Sequence, residues 1–399
     1  MTEQATAIRQ YLIVTGNYWA FTLTDGALRM LVVLYFHQLG YSPLEVASLF
    51  LFYEFFGIVT NLVGGWLGAR IGLNRTMNLG LSLQIAALAM LCINPEWLTV
   101  VWVMAAQAMS GIAKDLNKMS AKTSVKQLVK QGQNSALFRW VAVLTGSKNA
   151  LKGVGFFLGG VLLTAFGFQL AILIMLAGLA IVLIFSLISL KQDLGKASTK
   201  PKFSEIFSSS RSVNQLSAAR FFLFGARDIW FVVALPVYMS TELGWSHWQI
   251  GSYLASWIIG YGFIQAGCPW LLKRWHGYER NAAIVAAALL AIVPASIGAT
   301  LAYQPEQILL IGLVVFAAIF AINSALHSYL IVYYAKADGA SMDVGFYYMA
   351  NAGGRLAGTV LSGWVYQQYG LTACLWISAL MVVTAFLLTL PLSELRHSR

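Results

Sequence analysis

A bilayer core is about 30 Å thick, and a helix needs about 20 mainly apolar residues to cross it. This chain holds twelve apolar segments of that kind, the first at 11–37 and the last at 371–391, joined by short connections. Twelve spans of about 20 residues use about 240 residues. The chain has 399 residues, of which 59% are hydrophobic and 10% charged, and its mean hydropathy is +0.70. Soluble domains carry about 25% charged residues, so a soluble enzyme is excluded. Lipid offers a free backbone no hydrogen-bond partner, so each segment must be helical. The expected fold class is therefore an all-α membrane protein with twelve transmembrane helices. The first apolar segment is too long for a signal-peptide core and lacks a small-residue cleavage pattern, so a secreted product is not expected.

Charge sets the expected orientation. The connections at 38–42, 94–97, 166–167, 240–247, 303–306 and 367–370 contain no Lys or Arg. The opposite side carries them, from Arg9 and Arg70 through Lys122, Lys126, Lys130, Lys191 and Lys273 to Arg399. The positive-inside rule then puts both termini in the cytoplasm. Most of the net charge of +11 faces anionic lipid in this reading, and nucleic acid is not an expected partner.

The longest connection, 191–213, is rich in Ser and Lys. It is read as a cytoplasmic linker between six-helix bundles at 1–190 and 214–399. An internal repeat supports two pseudo-symmetric halves. Leu39-Gly40-Tyr41-Ser42 matches Leu243-Gly244-Trp245-Ser246 at an offset of 204, as Trp66, Leu67 and Arg70 match Trp270, Leu271 and Arg274. Lys152, Gly155 and Gly160 match Arg355, Gly358 and Gly363 at an offset of 203. Repeated halves around a midplane site are a common transporter plan.

Ionisable groups inside spans are costly and normally face a protein interior or an aqueous path. Twelve lie within these spans: Asp25, Arg29, Glu54, Lys114, Asp115, Lys118, Lys148, Lys152, Arg220, Arg227, Asp228 and Arg355. Eight are cations and four are acids. A low-dielectric interior with excess cations repels cations and attracts polyanions, and Arg and Lys are the usual partners of phosphate oxygens. Lys148 and Lys152 share a helix face at i,i+4 spacing, and Arg355 matches Lys152 in the repeat. These three form an expected cationic clamp, with Arg227, Arg29 and Lys118 as further substrate-binding candidates. Structural pairing with Asp25, Glu54 or Asp228 is the competing reading. Those three acids are equally candidates for proton coupling or ion pairs. Asp25 and Arg29, at i,i+4, read as an intrahelical ion pair or as a substrate contact tuned by its neighbour. Arg227 and Asp228 are adjacent, so they are expected to point apart. Glu54 has no basic neighbour in sequence, and His327 reads more readily as packing than as a proton site. Lys114 and Lys118 suggest a cytoplasmic funnel, whereas Lys122, Lys126 and Lys130 read as a wet face against anionic lipid.

No phosphate-binding G-x4-GK[ST] loop is present, so a gradient-driven transporter rather than an ATPase is expected, and no enzymatic activity. Cys92, Cys268 and Cys374 are widely spaced. No cofactor or metal site is expected from them.

The organisation resembles the major facilitator superfamily across the whole chain. Gly65-Trp66-Leu67-Gly68-Ala69-Arg70-Ile71-Gly72 is similar to that family's G-x-L-x-D-R-x-G loop, with Ala69 in place of the Asp. Gly155-Phe156-Phe157-Leu158-Gly159-Gly160 is similar to its G-P-x-x-G-G exporter motif, with Phe156 in place of Pro. Four longer strings resemble one branch: 16–26 (GNYWAFTLTDG), 114–120 (KDLNKMS), 145–153 (TGSKNALKG) and 224–230 (FGARDIW). That branch is the organoarsenical efflux permeases of bacterial arsenic-resistance operons. The resemblance implies export of 1-arseno-3-phosphoglycerate, an anionic ester that a partner glyceraldehyde-3-phosphate dehydrogenase makes from arsenate. The cations alone leave an organophosphate/phosphate exchanger open, and a proton-coupled drug exporter less so.

Overall fold

The computed structural model describes residues 3–41, 49–129, 132–190, 194–198, 201–203, 207–208, 210–275 and 278–394. Among them the regular structure is helical throughout. We number the membrane-crossing helices in chain order. They are α1 (Glu3–Gln38), α2 (Leu51–Ile71), α3 (Leu73–Leu91) and α4 (Val100–Leu128). The stretch Asn134–Ser189 breaks at Gly167 into α5 (134–166) and α6 (168–189). Next come α7 (Arg211–Thr241, interrupted at 232–233), α8 (His247–Leu271), α9 (Glu279–Thr300) and α10 (Pro305–Tyr334). Ala340–Thr389 breaks at Gly370 into α11 (340–369) and α12 (371–389). The twelve expected spans are thus twelve helices.

Gly167 and Gly370 have φ of 71° and 75° with ψ near 180°. That region of the backbone map is open essentially to glycine alone. Side-chain caps start three of the helices. Thr99 accepts from the Trp102 amide at α4, Ser210 from Val213 at α7, and Ser246 and Gln249 form a capping box at α8.

Among the described residues, six stretches are apolar and long enough to cross a membrane by composition alone: Ile8–Phe36, Asn134–Ser189, Arg211–Thr241, Glu279–Thr300, Pro305–Tyr334 and Ala340–Thr389. Two of them each contain two spans. The charges of α4, Lys114, Asp115 and Lys118, lower its hydropathy. By contrast, α6, α9 and α12 expose apolar side chains such as Ile184, Phe185, Leu289, Ile292, Leu380 and Leu387, the surface a lipid solvent accepts.

The chain forms two compact units. The first comprises Met1–Gln131, Ser147–Phe207 and Ala335–Met349, and the second Gly132–Gly146, Ser208–Tyr334 and Ala350–Arg399. The core of the first unit packs Phe21, Leu28, Leu31 and Phe36 of α1 against Leu88, Leu91, Val103 and Ile172. Tyr35 stacks on Phe168 at 4.1 Å between centroids. In the second unit, Trp230 meets Phe316 edge-on at 4.9 Å, and Phe316 stacks on Phe320 at 5.4 Å. Cys268 and Cys374 are buried and unbridged.

The central connection is tied to the first unit. Leu73 N donates to Leu194 O and Ala197 N to Ala69 O, each at 2.8 Å, and Trp66 Nε1 reaches Pro201 O at 3.0 Å. Ala69, at the position of the family's loop Asp, is fully buried.

Candidate functional site

Each unit holds a cluster of charged side chains at span depth. In the first unit it is built on one stripe of α1. Tyr18, Asp25 and Arg29 recur at spacings of seven and four, so they share a helix face. Tyr53 of α2 links two of them. Its hydroxyl donates to Asp25, 2.7 and 2.9 Å from the two carboxylate oxygens. Its ring lies under the Arg29 guanidinium at 4.4 Å and the Lys114 ammonium at 3.7 Å. Both distances suit a cation–π contact. Asp25 and Arg29 therefore meet through a shared tyrosine, which the intrahelical ion-pair reading did not anticipate.

The cluster continues along α4. Asp115 takes the Lys118 ammonium at 2.5 Å, with Lys114 at 4.0 Å. One turn further, Lys122 donates to the Tyr348 hydroxyl at 2.5 Å, and Lys118 lies 4.9 Å from the same ring. Tyr348 sits in the part of α11 that belongs to this unit. This corrects the expectation of a wet face. Lys122 is 3% exposed because the start of α11 covers it. Lys126, near the end of α4, is half-buried and donates to the Ala335 carbonyl. Lys130 lies outside the described residues, as does the side chain of Glu54.

Lys148 and Lys152 are half-buried on α5. The Lys152 ammonium lies 5.7 Å from the Phe156 ring. Glycines bring this helix against α1. A Cβ on Gly26 would stand 2.8 Å from the Lys152 carbonyl oxygen, and one on Gly155 2.7 Å from that of Leu23. Trp19 Nε1 adds a bond to Ser147 Oγ at 2.8 Å. Lys152 thus stands on a helix pressed against the one carrying Asp25.

The second unit repeats the construction with arginines. Asp228 of α7 is fully buried, and two guanidiniums hold it: Arg227 Nη2 at 2.5 Å from Oδ1, and Arg355 Nε at 3.0 Å from Oδ2. The expectation that Arg227 and Asp228 point apart is corrected here. The arginine stem is long enough to fold back beside the backbone and reach the next residue's carboxylate. Its guanidinium also lies 5.0 Å from the Phe224 ring. The arginines keep 16% and 31% side-chain exposure. Arg355 stands one turn before Gly358, where a Cβ would meet Gly225 O at 2.6 Å. A close α7–α11 crossing therefore delivers Arg355 to Asp228.

Arg220, two turns before Arg227, is 3% exposed. Its Nε donates to Asn351 Oδ1 at 2.9 Å and its Nη1 to Ser324 Oγ at 3.2 Å. His327 is buried nearby on α10. Sequence reasoning singled out neither Tyr53 nor Tyr348 as a site residue, and it gave Arg220 no role. The four-residue recurrence of lysines on α4 was the one signal for Lys122; nothing local marks Tyr53.

The helical spans, the glycine crossings and the buried charge clusters define a polytopic membrane protein. The sequence matches the profile described as Major Facilitator Superfamily over residues 14–293 and 216–399, and the chain belongs to that family. No curated protein matches the sequence significantly. Among solved structures, the chain is similar to the human organic anion transporter MFSD10 (TETRAN), with a TM-score of 0.79, 18% identity, and coverage of 98% of this chain and 100% of that one. It is also similar to the transporter FucP in the outward conformation (TM-score 0.77, 13% identity, 98% and 100% covered). A bacterial homologue of the iron transporter ferroportin follows (TM-score 0.75, 15% identity, 96% and 99% covered). At these identities the likeness is one of fold.

Proposed function

We propose that the chain is a secondary active transporter that exports a polyanionic small molecule by alternating access, and that this molecule is 1-arseno-3-phosphoglycerate. The observation that carries the anionic part is the charge balance in each unit. Among the described residues, Arg29, Lys114 and Lys118 gather around Asp25 and Asp115, and Arg227 and Arg355 around Asp228. Half-buried cations in excess of carboxylates favour phosphate- or arsenate-like oxygens and disfavour cationic drugs. The arsenical identity, the outward direction and the functional link to a glyceraldehyde-3-phosphate dehydrogenase rest on the strings at 16–26, 114–120, 145–153 and 224–230. The halves 1–190 and 214–399, joined by 191–213, act as the two bundles of the cycle. The basic residues on one side of the spans support cytoplasmic termini, and the resemblance of the same four strings supports a bacterial inner membrane.

Everted membrane vesicles containing the protein test this. They are supplied with radiolabelled arsenate, glyceraldehyde-3-phosphate, NAD and the dehydrogenase, and each component is omitted in turn. Accumulation that needs every component supports the reading. Lys152→Ala and Arg355→Ala should each abolish it while the protein still inserts. Accumulation of phosphate by counterflow, with no arsenical uptake, would instead favour the organophosphate/phosphate exchanger that the same cations suit.

A further inference from the structure

Among the described residues, Tyr18 Oη and Asp115 Oδ2 in the first unit's cluster are buried without a hydrogen bond, and they are opposite in kind. Tyr18 is 1% exposed. Its hydroxyl makes no hydrogen bond, and it lies within electrostatic reach of Tyr348, Asp115 and Asp25. Asp115 is 2% exposed. Its Oδ1 is taken by Lys118, but its Oδ2 accepts no hydrogen bond, and the nearest ammonium, Lys114, stands at 4.0 Å. Native proteins leave few such atoms unsatisfied. A tyrosine hydroxyl donates readily, whereas an ionised carboxylate only accepts. An occupant that satisfies both needs a lone pair for Tyr18 and an O–H for Asp115.

The surroundings narrow the occupant further. Lys114, Lys118 and Lys122 approach from α4, and the lysines flanking Asp115 keep 16% and 13% side-chain exposure, so solvent reaches the cluster. Water meets the hydrogen-bond demand, but the anionic-substrate reading calls for an anion beside these ammoniums. A tetrahedral oxyanion that still carries a proton meets both. Hydrogen phosphate, hydrogen arsenate and the singly protonated form of their monoesters are of this kind. Sulfate has the same shape and offers only acceptors at neutral pH.

We propose that Asp115 is a specificity-determining residue: it accepts the O–H of a protonated tetrahedral oxyanion held by Lys118 and Tyr18, and it rejects oxyanions that have no proton. The proposal rests on the anionic-substrate reading and narrows it. The rejection is electrostatic. An acceptor-only anion must set an oxygen lone pair against the Asp115 carboxylate, and a site built to bond a substrate O–H discriminates strongly against analogues lacking it.

The test is calorimetric titration of the purified full-length protein at pH 7 with inorganic phosphate and with sulfate. Phosphate should bind at least about 100-fold more tightly than sulfate. Asp115→Asn keeps the side-chain shape and can present an N–H in place of an acceptor oxygen. It should cut that ratio at least about tenfold, chiefly by admitting sulfate. A merely structural loss would weaken both anions alike. Tyr18→Phe removes a donor that serves either anion, so both should weaken with the ratio kept. Equal binding of phosphate and sulfate by the native protein, or an unchanged ratio in Asp115→Asn, overturns the role of Asp115 while the anionic reading stands. Binding of neither anion by folded native protein overturns both.

Discussion

Asp228→Asn should be among the most damaging conservative substitutions in the second unit. The carboxylate is fully buried and contacts guanidinium nitrogens at 2.5 and 3.0 Å. At an effective dielectric near 20, charges about 4 Å apart attract by about 4 kcal/mol. Solvent reaching the arginines, at 16% and 31% side-chain exposure, reduces that gross figure. The larger effect comes from what remains. The asparagine leaves two neighbouring guanidiniums without their shared counter-charge, and breaking a buried pair in this way costs about 3–5 kcal/mol. Given the partial exposure, we expect about 3 kcal/mol. Removing one cation as well should recover part of the loss. Asp228→Asn combined with Arg355→Gln should be less destabilised than the sum of the singles, with a coupling of about 1–3 kcal/mol. Equilibrium unfolding in mixed detergent micelles, followed by far-ultraviolet circular dichroism, measures all four members of the cycle. Additive losses, or a single asparagine variant as stable as the native protein, would refute the shared-carboxylate account.

Gly155→Ala and Gly358→Ala place a Cβ 2.7 Å from Leu23 O and 2.6 Å from Gly225 O. Each should cost about 1–3 kcal/mol in the same assay, while Gly178→Ala, with nothing within 4 Å, should be neutral or slightly stabilising. Lys122, covered by α11, should react with an amine-specific label at least about tenfold more slowly than the exposed Lys202 in native membranes; equal rates would return Lys122 to a solvated face. Outside the spans, hydrogen bonds from Ser198 hold the Asp338 carboxyl below its ordinary range. A lowered carboxyl stabilises its tether above the ordinary carboxylate range and loses that contribution as pH falls through the folded value. Hydrogen-exchange protection at Ser198 should therefore drop on acidification, and Asp338→Asn should remove the pH dependence.

The helices were legible in the sequence because lipid leaves a spanning segment one backbone solution, so apolar length alone carries the information. The charged residues were legible as a class for a related reason: any ionisable group in such a segment is conspicuous. Their pairings were not. Tyr53 joins Asp25 to Arg29 from another helix, and no local pattern encodes a partner 28 residues away. Lys122 looked solvated because its cover comes from Tyr348, 226 positions later. Arg227 was misjudged because helix-face geometry describes where Cβ points, and a guanidinium on a long stem ends elsewhere. Gly155 and Gly159 stand at the close α1–α5 crossing, and Gly354 and Gly358 at the α7–α11 crossing.

The single-residue breaks at Gly167 and Gly370 bear on how the chain enters the membrane during synthesis. An isolated helix carrying two lysines at its centre partitions poorly, since each central Lys costs about 2.5–3.5 kcal/mol on insertion scales. The first helix of the earlier pair carries Lys148 and Lys152, and that of the later pair carries Arg355. Each is followed, one non-helical residue later, by a helix free of charge. There is almost no polar loop to drag across, so each pair leaves the translocation channel as a hairpin whose apolar second arm offsets the charged first one. A long hydrophilic insertion at either glycine would uncouple the arms, leaving the lysine- or arginine-bearing helix to insert on its own merits.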